Sequence, residues 1–164
     1  MKLITLFALY VLVPALSSAG GQAFDKTVFY HIIASGDRDA VDSELGLLGK
    51  ETSTENEAYM GALLMRKAGL LVLPGERLRS FKAGRIKLES ALAKDSANGE
   101  YHFLRLIIQE HAPGIVRYSN ELQTDHDHIR RSFKTLPPAV QKAIIDYSKN
   151  SKTLRPEDFG PKND

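Results

Sequence analysis

An all-α fold is predicted by three features of this 164-residue sequence. The composition is rich in Ala, Leu, Lys, Arg and Glu, the residues with the highest helix propensities. No stretch alternates apolar and polar residues for long enough to indicate a strand. Turn signals recur at intervals typical of helices. We therefore expect about seven helices arranged in antiparallel hairpins.

The first four predicted helices each have an apolar stripe and a recognisable start or stop. Gly36 ends the first, over residues 25–34, and Asp37 caps the second, over residues 37–48. Thr54 and Glu57 are spaced as a capping box at the start of the third. Pro74-Gly75 separates the third from the fourth, over residues 76–94. The stripes include Phe29 and Ile32; Val41 and Leu45; Tyr59 and Leu63; and Phe81, Leu88 and Leu92.

The last three predicted helices follow a turn over residues 95–99. The fifth covers residues 98–111 and is stopped by Pro113-Gly114, and the sixth covers residues 124–134. The seventh begins at Pro137-Pro138, residues suited to a first helical turn. Beyond it the apolar pattern ends. We expect one domain over residues 24–149 and a flexible tail over residues 150–164.

The N-terminus has the order of regions found in a secretory signal peptide. Lys2 precedes a short apolar run from Leu3 to Leu16, and small residues follow. A leader over residues 1–19 would be cut after Ala19, or alternatively after Ala23. We therefore expect an exported protein, periplasmic or extracellular, with no transmembrane segment after cleavage.

Composition excludes several other classes of protein. There is no cysteine, so disulfides, thiolate metal sites and lipid attachment at an N-terminal cysteine are excluded. Lys and Arg number 22 against 20 Asp and Glu, a net charge of +2. Nucleic-acid binders usually carry a larger basic excess, so no nucleic-acid partner is expected.

Residues 84–98 resemble the second helix of a tetratricopeptide repeat. Gly84, Leu88 and Ala91 have the spacing of its small, large and alanine positions, whereas Ser96 stands where the motif has proline. No second copy follows at the period of this repeat. The resemblance implies tetratricopeptide-like helical packing in a non-regular array. The whole pattern also resembles small exported helical proteins of Gram-negative bacteria, which implies a fold and no activity.

The segment from Thr124 to Arg131 contains the densest cluster of metal-ligand residue types: Asp125, His126, Asp127 and His128. On a helix, residues two apart diverge by about 200°, so the two histidines cannot both face one ion. Asp125 and Asp127 also suit the positive end of a helix dipole. A metal site there remains the alternative interpretation.

The remaining candidates are a basic surface and one acid–base pair. Basic side chains of the fourth helix and nearby segments could bind an acidic peptide or a glycan, with two tyrosines as recognition aromatics. His102 and Glu110 are eight residues apart on the fifth helix, near one face. The binding candidates are Arg79, Lys82, Arg85, Tyr101, Arg105 and Tyr118, with Arg130 and Arg131 nearby.

No catalytic constellation emerges from these motifs, and we expect no enzyme and no cofactor. The favoured function is protein–protein binding or scaffolding with an unidentified protein or peptide of the cell envelope. The alternative is a small periplasmic metal-dependent hydrolase that uses Asp125, His126, Asp127 and His128.

Overall fold

The structure is a computed structural model that describes residues 24–160. Seven α-helices and three short 3-10 helices make up this range, and no strand occurs within it. This confirms the all-α prediction. The predicted leader and its two cleavage positions lie outside the described residues. The helices are α1 (Lys26–Ser35), α2 (Arg38–Leu48), α3 (Thr54–Ala68), α4 (Pro74–Lys94), α5 (Gly99–His111), α6 (Leu122–Ser132) and α7 (Pro138–Ser148).

Side-chain caps set most of the helix starts. The carboxylate of Asp25 accepts hydrogen bonds at the start of α1, and that of Asp37 does the same for α2. Gly36 lies between the two helices at φ +68°, a conformation that suits a residue without a side chain. The cap of α3 is Ser53, which accepts from the amide of Asn56, so the predicted capping box at Thr54 was wrong by one residue.

Two other predicted boundaries also need correction. Pro74 is the first residue of α4, because its fixed φ and missing N–H suit that position. The helix that was predicted to end there, α3, stops earlier, at Ala68. The sixth helix was predicted to begin at Thr124, but α6 begins two residues earlier, after Glu121. It ends in a 3-10 turn, Phe133–Thr135.

The helices α3 and α4 form the most extensive pair. Lys94 bonds to Glu57 at 2.6 Å, and the Ser80 hydroxyl donates to the Leu64 carbonyl oxygen at 2.7 Å. Because a later residue of α4 meets an earlier residue of α3, the two helices run antiparallel. Gly61 and Gly84 face each other where the backbones come closest.

The central helix is α5, in which eight consecutive residues from Gly99 to Leu106 are buried. Its apolar side chains join the core, and its polar ones tie it to other helices. Glu100 accepts hydrogen bonds from Lys26 at 2.7 Å, from Tyr30 at 3.0 Å and from Tyr59 at 2.6 Å. A buried carboxylate needs such partners, so these bonds attach α5 to α1 and α3.

The segment after α7 packs onto the domain, unlike the flexible tail predicted from residue 150. Leu154 is only 1% exposed and belongs to the core. The Ser151 hydroxyl donates to Glu110 at 2.7 Å, and the ring of Phe159 lies 4.7 Å from that of Phe133. The composition of this segment is polar, but one buried leucine and these contacts are enough to hold residues 151–160 against the domain.

None of the helices in the described range combines the length and the apolarity that a membrane span requires.

Candidate functional site

A large open groove runs between the helices, with a volume of about 1530 Å³. It is bordered by α1, the end of α3, the first half of α4, the second half of α5 and α7. A 3-10 turn, Gly114–Val116, also contributes to it. Its lining is mostly apolar and includes Ile33, Met65, Phe81, Phe103, Ile107 and Val116. This groove is the main candidate for a functional site, because ligand sites are concave and largely apolar.

Two proline-marked boundaries shape the mouth of the groove. Pro74 starts α4 and brings Leu78 to the lip, where its side chain is 47% exposed. Pro113 follows α5 and leads into the turn that carries Ile115, which is 90% exposed. Large apolar side chains that border an apolar concavity and remain in water favour contact with another molecule.

The rim of the groove is positively charged. Five basic side chains line it: Arg66, Arg77, Lys82, Arg85 and Lys142. The one acidic lining residue is Asp146, which already pairs with Lys142 at 2.5 Å and with Lys149 at 2.7 Å. Those two hydrogen bonds lower the pKa of Asp146 to about 2. The rim therefore keeps an excess of positive charge.

The basic residues predicted to form a binding surface lie in different environments in the structure. Lys82 and Arg85 are exposed and line the groove, whereas Arg79 is exposed on α4 without lining it. Arg105 is buried, at 8% exposure. The predicted surface is therefore not continuous.

The two tyrosines predicted as recognition aromatics are buried as well. Tyr101 and Tyr118 are each 5% exposed. The Tyr118 hydroxyl donates to Glu89 at 2.6 Å, and the Arg85 guanidinium lies 4.9 Å from its ring centre. Burial, followed by the hydrogen bond to Glu89, raises the pKa of Tyr118 far above its usual value. These rings stabilise the domain and are not available to a partner.

Asp125 is the centre of a buried polar cluster and is fully inaccessible to solvent. Its carboxylate accepts from Arg105 Nη2 at 2.6 Å and from Gln109 Nε2 at 3.3 Å. Nδ1 of His102 lies 2.6 Å from the same carboxylate, and Nε2 lies 2.9 Å from the Ser96 carbonyl oxygen. Both ring nitrogens of His102 thus face hydrogen-bond acceptors. The cluster ties α6 to α5.

Burial opposes the charge on Arg105, but the hydrogen bond and charge of Asp125 outweigh it and raise the pKa of this arginine further. Arg105 also bonds to Glu89 at 3.0 Å. The guanidinium is thus held between two carboxylates, and Arg105 has a structural role in linking α5 to α4 and α6.

The other members of the Asp-His-Asp-His segment point in different directions. His126 lies 3.1 Å from Asp127 and 3.3 Å from Asp158, a residue near the C-terminus. The ring of His128 instead stacks on that of His102, with 3.9 Å between centroids and 10° between planes. Within residues 24–160, no three His, Asp or Glu side chains are grouped so that they could hold a metal ion.

The proposed acid–base pair on α5 is also separated. His102 is committed to Asp125, whereas Glu110 accepts hydrogen bonds from Tyr147 and Ser151, each at 2.7 Å. Burial of Glu110 opposes its charge, but hydrogen bonds from Thr153, Tyr147, Ser151 and Lys152 outweigh it and lower its pKa. His102 and Glu110 therefore take part in separate sets of hydrogen bonds.

The groove itself was not foreseen from the sequence. Its lining comes from five helices and a turn that are far apart along the chain, and their arrangement depends on tertiary packing. One local signal was present: Ile115 and Val116 directly follow the Pro113-Gly114 break, in a connection that is otherwise mostly polar. Apolar residues in such a connection, outside any amphipathic helix stripe, indicate a surface that contacts another molecule.

Comparisons of this chain with family models, with curated proteins and with solved structures find no match.

Proposed function

We propose that this protein is a non-catalytic binding protein that holds a segment of another protein in the groove. The observation that carries the proposal is the apolar concavity of about 1530 Å³, which is open to solvent and bordered by the exposed side chains of Leu78 and Ile115. Covering such a surface with a partner removes apolar area from water, which is favourable.

The polar clusters support a role without catalysis. The side chains around Asp125 and those around Glu100 are buried and bonded to one another. Their positions are explained by the need to satisfy buried polar groups on a central helix. The tetratricopeptide-like stretch at residues 84–98 supports a binding role as well, because helical hairpins of this type commonly present concave surfaces to other proteins.

We also propose that the protein works outside the cytoplasm, in the periplasm or outside the cell. The support is the leader-like order of residues 1–19, and the partner would then belong to the cell envelope.

The test is photocrosslinking in the producing cell from two positions on α4. A photoreactive amino acid replaces Leu78, at the lip of the groove, or Ile86, which is 71% exposed and does not line it. We expect a discrete crosslinked protein from position 78 and none from position 86. Matching adducts from both positions, or none from position 78 in a folded protein, would contradict the proposal.

A further inference from the structure

We propose that the segment held in the groove is an acidic amphipathic α-helix of the partner protein. This inference rests on the proposed function and specifies the chemistry of the partner. It follows from the size of the groove, from the pattern of its lining and from the charge of its rim.

The size of the groove matches a short helix. With side chains, an α-helix is about 10–12 Å across and rises about 1.5 Å per residue, so about 1530 Å³ corresponds to about 9–13 residues of helix. Sites for small molecules usually measure about 300–1,000 Å³, so this groove is larger than such a ligand needs. About three helical turns would fill it.

The lining provides what the apolar face of such a helix requires. Ile107 and Val116 line the groove and are partly exposed, whereas Phe81 is 7% exposed and Phe103 is fully buried beneath them. Helices that bind in grooves use apolar anchors at positions i, i+3, i+4 and i+7. Branched aliphatic side chains that remain partly exposed are suitable receptors for those anchors.

The rim determines the charge of the partner. Arg77, Lys82 and Arg85 line the groove from α4, and within the described residues no carboxylate forms an ion pair with any of them. Asp146, across the groove, is already neutralised by two lysines. Glutamate or aspartate residues beside the apolar anchors of a partner helix would pair with these cations.

The same charge argument disfavours the apolar run of the leader as the occupant. Residues 3–16 contain no acidic side chain, so this segment could fill the apolar base but would leave the rim cations unpaired. A partner with both features fits the groove better.

The experiment uses two synthetic peptides of about three helical turns that share leucine anchors and differ only in their flanking residues. One peptide carries glutamate and the other carries lysine at the flanking positions. Binding to the mature protein is followed by fluorescence anisotropy, and helix formation by circular dichroism. We expect the glutamate peptide to bind and become helical, and the lysine peptide to bind about tenfold more weakly or worse.

Two charge-matched variants locate the effect. Arg77→Glu with Lys82→Glu reverses the rim charge and should abolish the preference for the glutamate peptide. Arg79→Glu with Arg130→Glu makes the same change in net charge at exposed positions that do not line the groove, and should preserve the preference. Equal loss of the preference in both variants would overturn the inference, since it would then reflect net charge alone.

One further outcome would overturn it while leaving the proposed function intact, namely crosslinking from position 78 in cells while neither peptide binds. Binding of phosphatidylglycerol vesicles that is lost in the Arg77→Glu/Lys82→Glu variant, while neither peptide binds, would assign the groove to an anionic lipid and would overturn the proposed function as well. Absence of both crosslinking and peptide binding would overturn the proposed function together with this inference.

Discussion

Gly61 and Gly84 lie where the backbones of α3 and α4 meet, and neither position has room for a Cβ atom. A Cβ built on Gly84 would lie 2.5 Å from the Gly61 carbonyl oxygen and 2.8 Å from the Met65 amide nitrogen. Both atoms belong to the backbone of a buried helix and cannot move aside easily. The distance between α3 and α4 therefore depends on glycine at both positions.

We expect Gly84→Ala to destabilise the protein. Alanine is the better helix former by about 1 kcal/mol, but crowding of a packed interior costs about 1–3 kcal/mol. The crowding should prevail, because the atoms it meets are backbone atoms. Chemical denaturation of the variant should show a lower free energy of unfolding.

The control for this substitution is Gly46→Ala, in the interior of α2. A Cβ there meets nothing within 4 Å, so only helix propensity changes. That variant should gain about 0.5–1 kcal/mol. If both alanine variants are stabilised, the backbones of α3 and α4 do not depend on their glycines.

Asp125 illustrates a second residue-scale principle, the cost of an unpaired buried charge. Replacing it with alanine leaves Arg105 buried with one carboxylate partner in place of two. Breaking a buried ion pair in this way typically costs about 3–5 kcal/mol. Thermal and urea unfolding of Asp125→Ala should show a loss of this size.

Asp127, two residues further along α6, provides the comparison. Its side chain is 40% exposed and its partner His126 has a second carboxylate nearby, so Asp127→Ala should change the free energy of unfolding much less. Equal losses in the two variants would show that the Asp125 cluster is not the tie between α5 and α6.

At the scale of elements, the turn over residues 95–98 connects α4 to α5. Ala91 and Leu92 are buried before it, Ser96 is exposed within it, and Asn98 caps α5. Gly99 was predicted to belong to the turn, but it is the first residue of α5 and is buried directly against Ser132. Because α4 ends before this turn, a substitution within the turn can be made without changing the buried core.

Two substitutions on either side of this boundary should have opposite effects. Leu92→Ala removes a side chain that is 5% exposed and should cost about 2–5 kcal/mol. Ser96→Pro should be neutral or stabilising by about 0.4–1 kcal/mol, because it restricts the unfolded chain. The Ser96 carbonyl, which receives the His102 bond, is retained. Severe destabilisation by proline would mean that the Ser96 backbone conformation cannot accept it.

Local patterns predicted the helices well because their signals act within one or two turns. Asp37 and Gly36 are such signals, and both act as predicted. Tyr101 and Tyr118 were misjudged because their burial depends on helices distant in sequence. Asp125 was misjudged for the same reason, since its partners His102 and Arg105 lie on another helix. The groove likewise has no local signature, except for the exposed Ile115.

At the scale of the whole molecule, stability should depend on pH through His128. Burial, followed by the positive charges of His102 and Arg131, lowers the pKa of His128 below its ordinary 6.5. The unfolded chain then binds more protons than the folded one just below this pH. This contribution to stability is present above about pH 6.5 and is lost as the pH falls through the lower, folded pKa.

Urea unfolding measured between about pH 5 and pH 7 should therefore show stability rising with pH in the native protein. His128→Gln should flatten that rise, whereas His31→Gln, at an exposed position on α1, should not. An unchanged slope in the His128 variant would show that other groups govern the pH dependence.

The proposed export also concerns the whole chain, and mass spectrometry can test it. The N-terminus of the mature protein should be Gly20 or Phe24, the residues that follow the two predicted cleavage positions. Cleavage before Phe24 would keep this residue in the mature protein, where its ring packs 4.5 Å from that of Tyr59. Finding Met1 on protein outside the cytoplasm would contradict the prediction.

The packing of Leu154 has a consequence for the order in which the protein can be completed. A chain is synthesised from its N-terminus, so residues 151–160 leave the ribosome after the seven α-helices described above. Until they emerge, the core lacks Leu154, and Glu110 lacks its hydrogen bond from Ser151. If the chain is exported as proposed, this late closure keeps the final fold of the domain from forming until the segment after α7 has been made, which leaves time for an unfolded chain to be carried across a membrane.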